Sequence, residues 1–482
     1  MTKLKLFLAL IFSSLLVSCA PNDEMQITGT VRNMQGSPIV YYQSVDGMFN
    51  SQSCDTLKVN ADSTYTLTLP AEEYKRLRFL LWGKEKLGSI ITSGKNITVN
   101  IDGASGQFPD IKGISEKEVE ISALLDKLNN DVWDYRGRLG DRWNISKDTV
   151  AASVVAKLKS DAASMYEKMK DADEKLFSKA RQEIRMQMML VFLKKLYAID
   201  WECTEATKQL WLYEWKKMKN ICSENHPDSP FSLAFYDVAG HNAGATYFLN
   251  GESVPEGVNM EPNELSFYYY EHQLTGNAQE AAMAQLFLQD EARQENAPAI
   301  ISLAKRFKEL YPQSPWIPLV DRAVNKNKAF QEAKIPEYIH FPNVEKAKTL
   351  KDVTDLYKGK VIFMDIWATW CGPCRSSFAH VKPLQEYTRQ HDDVVLLYLS
   401  LDKTEDDEKW RKMAAHYDLA GEHVRVQESF RKEVYETFGG KQGALIIPRY
   451  IIFDKKGNER FSVASSPEDM DKLTTQLEEA RK

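Results

Sequence analysis

The chain has 482 residues, 43% of them apolar and 27% charged, which is ordinary globular composition at a length that calls for more than one domain. Its formal net charge of −6 lacks the basic excess of a nucleic-acid-binding surface, so no nucleic-acid partner is expected. No Walker loop, Gly-x-Gly-x-x-Gly or His-Glu-x-x-His is present, which removes common nucleotide and zinc-protease chemistries.

At the N-terminus, Lys3 and Lys5 precede an apolar run from Leu6 to Val17. A bilayer span takes about 20 apolar residues, so the run suits a secretory signal instead. Leu16-Val17-Ser18-Cys19 resembles the bacterial lipobox, in which the signal is removed before the Cys and that Cys is acylated. The resemblance implies a lipoprotein signal peptide over 1–18, a lipid on Cys19 and a polar tether over 19–24. Acyl chains hold a protein to a membrane by about 0.8 kcal/mol per buried CH₂.

Residues 25–112 read as β structure. Tyr65-Thr66-Leu67-Thr68-Leu69 and Ile97-Thr98-Val99-Asn100-Ile101 alternate as strands with one buried face do. Arg78 to Trp82 is apolar enough for a central strand. Turn signals fall at Gln35-Gly36-Ser37-Pro38, Asn60-Ala61-Asp62 and Ser93-Gly94-Lys95-Asn96. This spacing predicts a small antiparallel β-sandwich. Asp55-Thr56-Leu57 and Asp62-Ser63-Thr64 resemble short bacterial O-glycosylation sites.

Residues 113–332 read as a helical domain. Val119, Ile121, Leu124, Leu125 and Leu128 follow helical spacing, as do Ile184, Met188, Val191, Phe192 and Leu196. Trp211 and Trp215, one turn apart, and Phe267-Tyr268-Tyr269-Tyr270 are expected in a core rather than in an aromatic cleft. The Gly-, Asn- and Pro-containing stretch from His226 to Asn263 predicts a long surface loop. Ala297 to Tyr311 predicts an amphipathic helix. No catalytic pattern is recognisable here, which leaves positioning of the last domain or partner recognition as the role. Of the six cysteines, Cys203 and Cys222 can be read as a bridge or as buried thiols, and Cys54 is expected to be buried.

Residues 333–482 carry the chemistry. The run Val361–Trp367 predicts a buried strand, and Cys371-Gly372-Pro373-Cys374 stands where a helix should begin. A sulfur at a helix N-terminus meets unpaired N–H groups and the positive end of the helix dipole, and both favour thiolate. Cys371 is therefore the expected, solvent-reachable nucleophile, and Cys374 the resolving sulfur. Pro373 fits the first turn, where its missing N–H costs nothing. A lone Cys-x-x-Cys also fits half of a zinc site, but no second one completes it. Val394–Leu399 predicts the next parallel strand, Glu405–Tyr417 a helix, and Arg449–Asp454 a further strand. Ser466 and Pro467 are expected to cap and open the last helix.

Trp370-Cys371-Gly372-Pro373-Cys374 is the thioredoxin active-site pentapeptide, and the match continues upstream through Ala368, Trp367 and Asp365. The region resembles the thioredoxin family. Domain order and the inserted helix make it most similar to the membrane-anchored TlpA/ResA-like branch, in the lipoprotein form found in gut Bacteroidota. The resemblance implies a C-terminal α/β thioredoxin fold. It assigns Asp365 as a buried carboxylate relaying a proton to the resolving sulfur. It also implies a cis bond at Ile447-Pro448 that brings the Ile447 backbone against the sulfurs. Trp370, Gly372, Pro373, Ile447 and Pro448 would bind the substrate, which pairs as an added strand. One departure is plain: Ser377 and Ala379 occupy positions where the branch usually carries Glu and Pro.

The function implied is a membrane-anchored, extracytoplasmic thiol-disulfide oxidoreductase. No cofactor is expected beyond the Cys371/Cys374 pair, and no metal. The Gly-Pro dipeptide is that of thioredoxin, whose potential of about −270 mV lies on the reducing side. Expected partners are disulfide-containing envelope proteins and a transmembrane thiol-electron donor, at the cell envelope facing the periplasm. The alternative is an envelope lipoprotein that binds a partner or glycan, its thioredoxin domain secondary or a redox sensor.

Overall fold

The structure is a computed structural model that describes residues 24–34, 38–50, 54–81, 86–103, 108–138, 150–197, 204–254, 261–439 and 445–482. The signal segment, Cys19 and Cys203 lie outside the described residues. Chain contacts form two units: residues up to Leu286 with Phe307–Trp316, and Phe287–Arg306 with Ile317–Lys482.

The first unit opens with β1 (Glu24–Arg32), β2 (Ile39–Val45), β3 (Met48–Phe49), β4 (Asp55–Thr56), β5 (Thr64–Pro70), β6 (Lys75–Leu81), β7 (Lys86–Thr92), β8 (Asn96–Asp102) and β9 (Asp110–Lys112). One sheet runs β5-β1-β8-β9. The other runs β3-β2-β6-β7, with β4 on β2. Alternation decides the buried faces: Ile97, Val99 and Ile101 of β8 point inward, and both sheets contribute to one apolar cluster with Ile27, Leu77, Phe79 and Ile90. The pairing is not purely antiparallel, as the sequence suggested. β1 and β8 run parallel, with Ile27 opposite Ile97. The chain builds the whole second sheet between them, which supplies the long crossover that a parallel pair needs.

Helices follow: α1 (Glu116–Arg138), α2 (Val150–Met169), α3 (Glu174–Leu196), α4 (Glu205–Ile221), α5 (Phe235–Gly244), α6 (Pro262–Gln273), α7 (Gly276–Arg293), α8 (Ile300–Leu310) and α9 (Ile317–Gln331). Asp173 caps α3 and Thr204 caps α4, each through side-chain oxygen to backbone N–H. Trp211, Trp215, Phe267, Tyr269 and Tyr270 are core residues, as expected. From Ser229 to Leu249 the stretch after His226 is not a surface loop. It forms a 3₁₀ turn at Ser229–Phe231, then α5, then a π-helical turn at Ala245–Leu249, with Phe231, Phe235, Val238, Ala239 and Asn242 buried. Gly244, one of the glycines that suggested a loop, permits close packing instead: a Cβ there would sit 2.3 Å from the Tyr197 hydroxyl. Asn242 is committed on both sides, accepting from Trp215 Nε1 at 2.9 Å and donating to Glu224 at 2.9 Å. Cys222 is a buried free thiol, pushed up to about 12 by desolvation, and Cys54 is a half-buried free thiol.

The β and helical stretches do not separate at residue 112. Arg76 on β6 and Glu183 on α3, both fully buried, form an ion pair at 2.8 Å. Glu183 also accepts the Leu233 N–H and the Gln187 amide, each at 2.9 Å.

The second unit gathers the end of α7, the start of α8 and all of α9 with β10 (Ile339–His340), α10 (Leu350–Thr354), β11 (Val361–Trp367), α11 (Gly372–Ser377), α12 (Lys382–Gln390), β12 (Val394–Ser400), α13 (Asp407–His416), β13 (Gly421–Arg425), α14 (Glu428–Phe438), β14 (Arg449–Phe453), β15 (Glu459–Phe461) and α15 (Met470–Arg481). It therefore starts well before residue 333. The sheet order is β10-β13-β12-β11-β14-β15, parallel from β10 to β11 and antiparallel beyond. Every residue of β11 is buried, as a strand covered on both faces requires. The last helix begins later than predicted. Asp469 is its cap, accepting the Lys472 N–H, whereas the Ser466 hydroxyl accepts the Glu468 N–H in the preceding turn.

Removing one partner of a buried pair strands the other charge, which costs about 3–5 kcal/mol. Glu183→Ala is expected to lower unfolding stability by that order in urea titrations monitored by helix signal. A loss under about 1 kcal/mol would mean that this pair does not tie sheet to helix.

Candidate active site

Strand β11 ends at Trp367, and a three-residue turn leads to Cys371, the N-cap of α11. The Cys371 sulfur accepts the Cys374 N–H at 3.1 Å, and the Arg375 N–H closes the first helical bond onto the Cys371 carbonyl at 3.2 Å. The two cysteines form a disulfide, with their Cα atoms 5.3 Å apart. Gly372 and Pro373 fill the positions between them, Pro373 exposed. Ile447-Pro448 is cis, and the Ile447 carbonyl oxygen lies 3.8 Å from the Cys371 sulfur. Cys371, Cys374 and Ile447 are thus brought together.

Access is narrower than the sequence suggested. Cys374 is fully buried, and Cys371 is only 5% exposed in this disulfide state. Around that opening the rim is apolar and open: Trp370 is 62% exposed and Ile446 82%. His380, on the surface 3.9 Å from Glu468, is part of neither the disulfide nor its rim.

Asp365 sits in the middle of β11, opposite Tyr398 on β12 and Tyr450 on β14. It is 3% exposed, and its Oδ1 has no hydrogen-bond partner. Desolvation alone pushes its carboxyl up to about 8, so it holds a proton at neutral pH. Ser377, where the related branch carries Glu, donates to the Cys374 carbonyl at 2.8 Å and accepts from the Tyr450 hydroxyl at 3.0 Å. The helix that carries Cys374 is thereby tied to β14.

Two contributors were not read from the sequence. Asp402, buried just past the end of β12, accepts the Thr369 N–H at 3.0 Å, the Thr369 hydroxyl at 2.7 Å and the Ser400 hydroxyl at 2.7 Å. It pins the turn two residues before the first cysteine. Arg431 secures the same corner through the Leu401 and Asp402 carbonyls, at 2.9 and 3.1 Å. The signal available was a lone Asp at the C-terminal end of a parallel strand, where α/β sheets place their sites. The other is Arg375, directly after Cys374, which donates to the carbonyls of Arg293 and Gln294 at 2.5 and 3.0 Å. No local pattern points to that contact, made 82 residues away in sequence.

Residues 359–459 match the family described as thioredoxin-like. The thioredoxin-like protein YneN of Bacillus subtilis (strain 168) is 38% identical over 63 residues, which are 13% of this chain and 36% of that protein. The thiol-disulfide oxidoreductase ResA of Bacillus thuringiensis subsp. konkukian is 28% identical over 101 residues, 21% of this chain and 53% of that one. The chain thus spans between about a third and about half of the length of these curated relatives. A solution structure from Bacteroides vulgatus, assigned as a thiol-disulfide oxidoreductase, is 28% identical and covers 26% of this chain and 76% of its own, with a TM-score of 0.22.

The state of Asp365 has a measurable consequence. Below about pH 4 its carboxyl is protonated in folded and unfolded chains alike. From there to about 8 only the folded chain keeps the proton, so the carboxyl's contribution to stability is lost as pH rises. The slope is about 1.4 kcal/mol per pH unit. Asp365→Asn should coincide with the parent at pH 4 and exceed it by on the order of 4 kcal/mol at pH 7, in urea unfolding of the disulfide form. Parallel pH profiles for the two proteins would show that this carboxyl is not held protonated.

Proposed function

We propose that this chain, whose C-terminal region is a thioredoxin-like domain, is an extracytoplasmic thiol-disulfide oxidoreductase that reduces disulfides in envelope proteins. The observation that carries this reading is the Cys371–Cys374 disulfide, formed at a helix N-cap beside the Ile447 carbonyl and under an exposed apolar rim.

In the reduced protein the Cys371 thiolate attacks one sulfur of the client disulfide. A Cys371–client bond forms, the client S–S bond breaks, and the other client sulfur leaves as a thiolate that takes a proton from solvent. Asp365 then loses its proton to solvent and takes the Cys374 proton in its place, and Cys374 attacks the Cys371 sulfur. The mixed disulfide breaks, and the second client thiolate leaves and is protonated in turn. Two electrons and two protons reach the client, and the protein ends with its disulfide closed and Asp365 protonated. That end state agrees with a carboxyl pushed up to about 8 beside a formed disulfide. The exposed faces of Trp370 and Ile446 offer apolar contact to a client, and the half-buried backbone at Ile447-Pro448 offers strand pairing.

The lipobox-like Leu16-Val17-Ser18-Cys19 supports anchoring through lipid on Cys19 and placement at the envelope, facing the periplasm. A reductase there consumes electrons that a transmembrane thiol donor would restore to the Cys371–Cys374 disulfide.

Cys374→Ser, exposed to envelope extract under oxidising conditions, should accumulate client conjugates through Cys371 that dithiothreitol releases. Cys371→Ser should form none and should fall to background in disulfide reduction. Retained activity in Cys371→Ser together with no conjugates from Cys374→Ser would sink the assignment. Direction is read separately: equilibration with glutathione should place the pair near about −270 mV, and a midpoint near about −120 mV would make the protein an oxidant.

A further inference from the structure

Helices α1 and α2 both pack on α3, and side chains from all three line a cavity of about 330 Å³ within the first unit. Spacing along the sequence makes its walls apolar. Leu158, Ala162 and Met165 recur at i, i+4 and i+7 on α2. Leu124 and Leu128 on α1, and Ile184 and Met188 on α3, recur one turn apart. Each helix thus turns an apolar stripe to the same space. The two methionines are unbranched and adapt to the shape of a guest. Gln187 is the buried polar residue of the lining, and its amide is spent on Asn129 and Glu183 at 2.6 and 2.9 Å.

The mouth is of opposite character. The cavity meets solvent at Lys127 of α1 and at Ser164 and Lys168 of α2, all exposed. Asp161, the acid of the lining, is already engaged: both its oxygens accept from Lys157 Nζ at 3.0 Å. Glu167, beside Lys168 in sequence, faces Lys170 at 3.4 Å. Among the described residues no carboxylate pairs with Lys127 or Lys168. An apolar interior under two uncompensated cations complements a molecule with an apolar tail and an anionic head. A cavity of about 330 Å³ has room for on the order of ten groups the size of a water molecule, which is the tail of a medium-chain fatty acid.

We propose that the α1–α2–α3 cavity is a binding site for a medium-chain fatty acid, the acyl chain lying between the three apolar stripes and the carboxylate at Lys127 and Lys168. A sugar is a poor guest here, because its hydroxyls would meet apolar walls and an amide that is already spent. Binding at this site needs no part of the Cys371 chemistry, and it gives helices without a catalytic pattern a role of their own.

The test is calorimetric titration of the full-length chain with hexanoate, octanoate and decanoate, each below its micelle concentration, and with 1-octanol as the uncharged counterpart of octanoate. Binding should saturate at one ligand per chain and tighten about fourfold for each methylene added. Octanoate should bind several-fold more tightly than 1-octanol. The double variant Lys127→Gln/Lys168→Gln should lose that preference while its affinity for 1-octanol stays at the parent value. Ala162→Phe places a ring inside the cavity and should weaken both ligands at least about tenfold. The lysine variant alters exposed positions only, so it reads the site even where Ala162→Phe fails to fold. Absence of saturable decanoate binding at millimolar concentration, affinity indifferent to chain length, or equal affinity of the parent for octanoate and 1-octanol overturns the proposal. Undiminished binding by a folded Ala162→Phe overturns it as well, since the ligand would then sit elsewhere.

Discussion

The bond from the Cys374 N–H to the Cys371 sulfur, 3.1 Å long, is the contact on which the site depends. It requires Cys371 to be a helix cap, which fixes the strand end at Trp367 and the helix start at Gly372. Pro373 between them has no N–H to offer, and the N–H directly after it, that of Cys374, is the one that meets the sulfur. Nothing in this geometry is self-supporting. The turn that delivers Cys371 spans Ala368 to Trp370, and Asp402 holds its middle through the Thr369 N–H and hydroxyl. Ser377 and Tyr450 hold the far end of the helix to β14. A sulfur aimed at a backbone donor is therefore the product of two strand ends and one buried carboxylate.

Two buried carboxylates in this unit make an instructive contrast. Burial raises both above the ordinary carboxylate range. Around Asp402 the hydrogen bonds from Ser400 and Thr369 oppose that rise, and its oxygens are occupied. Asp365 receives no such help: desolvation is the one influence on it, and Oδ1 is unpartnered. A buried polar atom left without a partner costs on the order of 1–3 kcal/mol, and native proteins keep few of them. The satisfied carboxylate is architecture. The unsatisfied one lies in the strand that ends at the Cys371 turn, and its burial keeps it protonated at neutral pH.

What the sequence revealed and what it hid follow from the range of each interaction. The buried strand Val361–Trp367, the helix start at Gly372 and the inserted helix after Asp406 are local patterns, and they stand as read. The cis bond at Pro448 came from the thioredoxin resemblance, since neighbouring residues alone do not require it. The stretch after His226 misled because Gly, Asn and Pro were taken as breakers. At a helix contact the same residues permit close approach, as Gly244 does against Tyr197. Parallel pairing of β1 with β8, the Arg76–Glu183 pair, the Asp402 clamp and the hold on Arg375 join residues 33 to 107 positions apart where distances are recorded, and no window along the chain displays them. Cys19 and Cys203 lie outside the described residues.

The second unit is larger than the stretch that carries the thioredoxin-like signature. The thioredoxin-like match spans residues 359–459, whereas the compact unit also takes residues 287–306 and 317–358. Those additions are integral. Phe330 of α9 belongs to the same apolar cluster as Val353, Trp367 and Cys374, and its ring meets His416 of α13 at 5.5 Å. Lys412 of α13 reaches Gln331, which in turn holds the α7–α8 turn. A division of the chain at residue 332 would cut between α9 and the sheet it helps to cover, removing both an apolar wall and the acceptors of Arg375. Helices that carry no catalytic pattern thus fix where the Arg375 side chain stands. That is a contribution made through packing, and packing is what a motif search along the chain does not register.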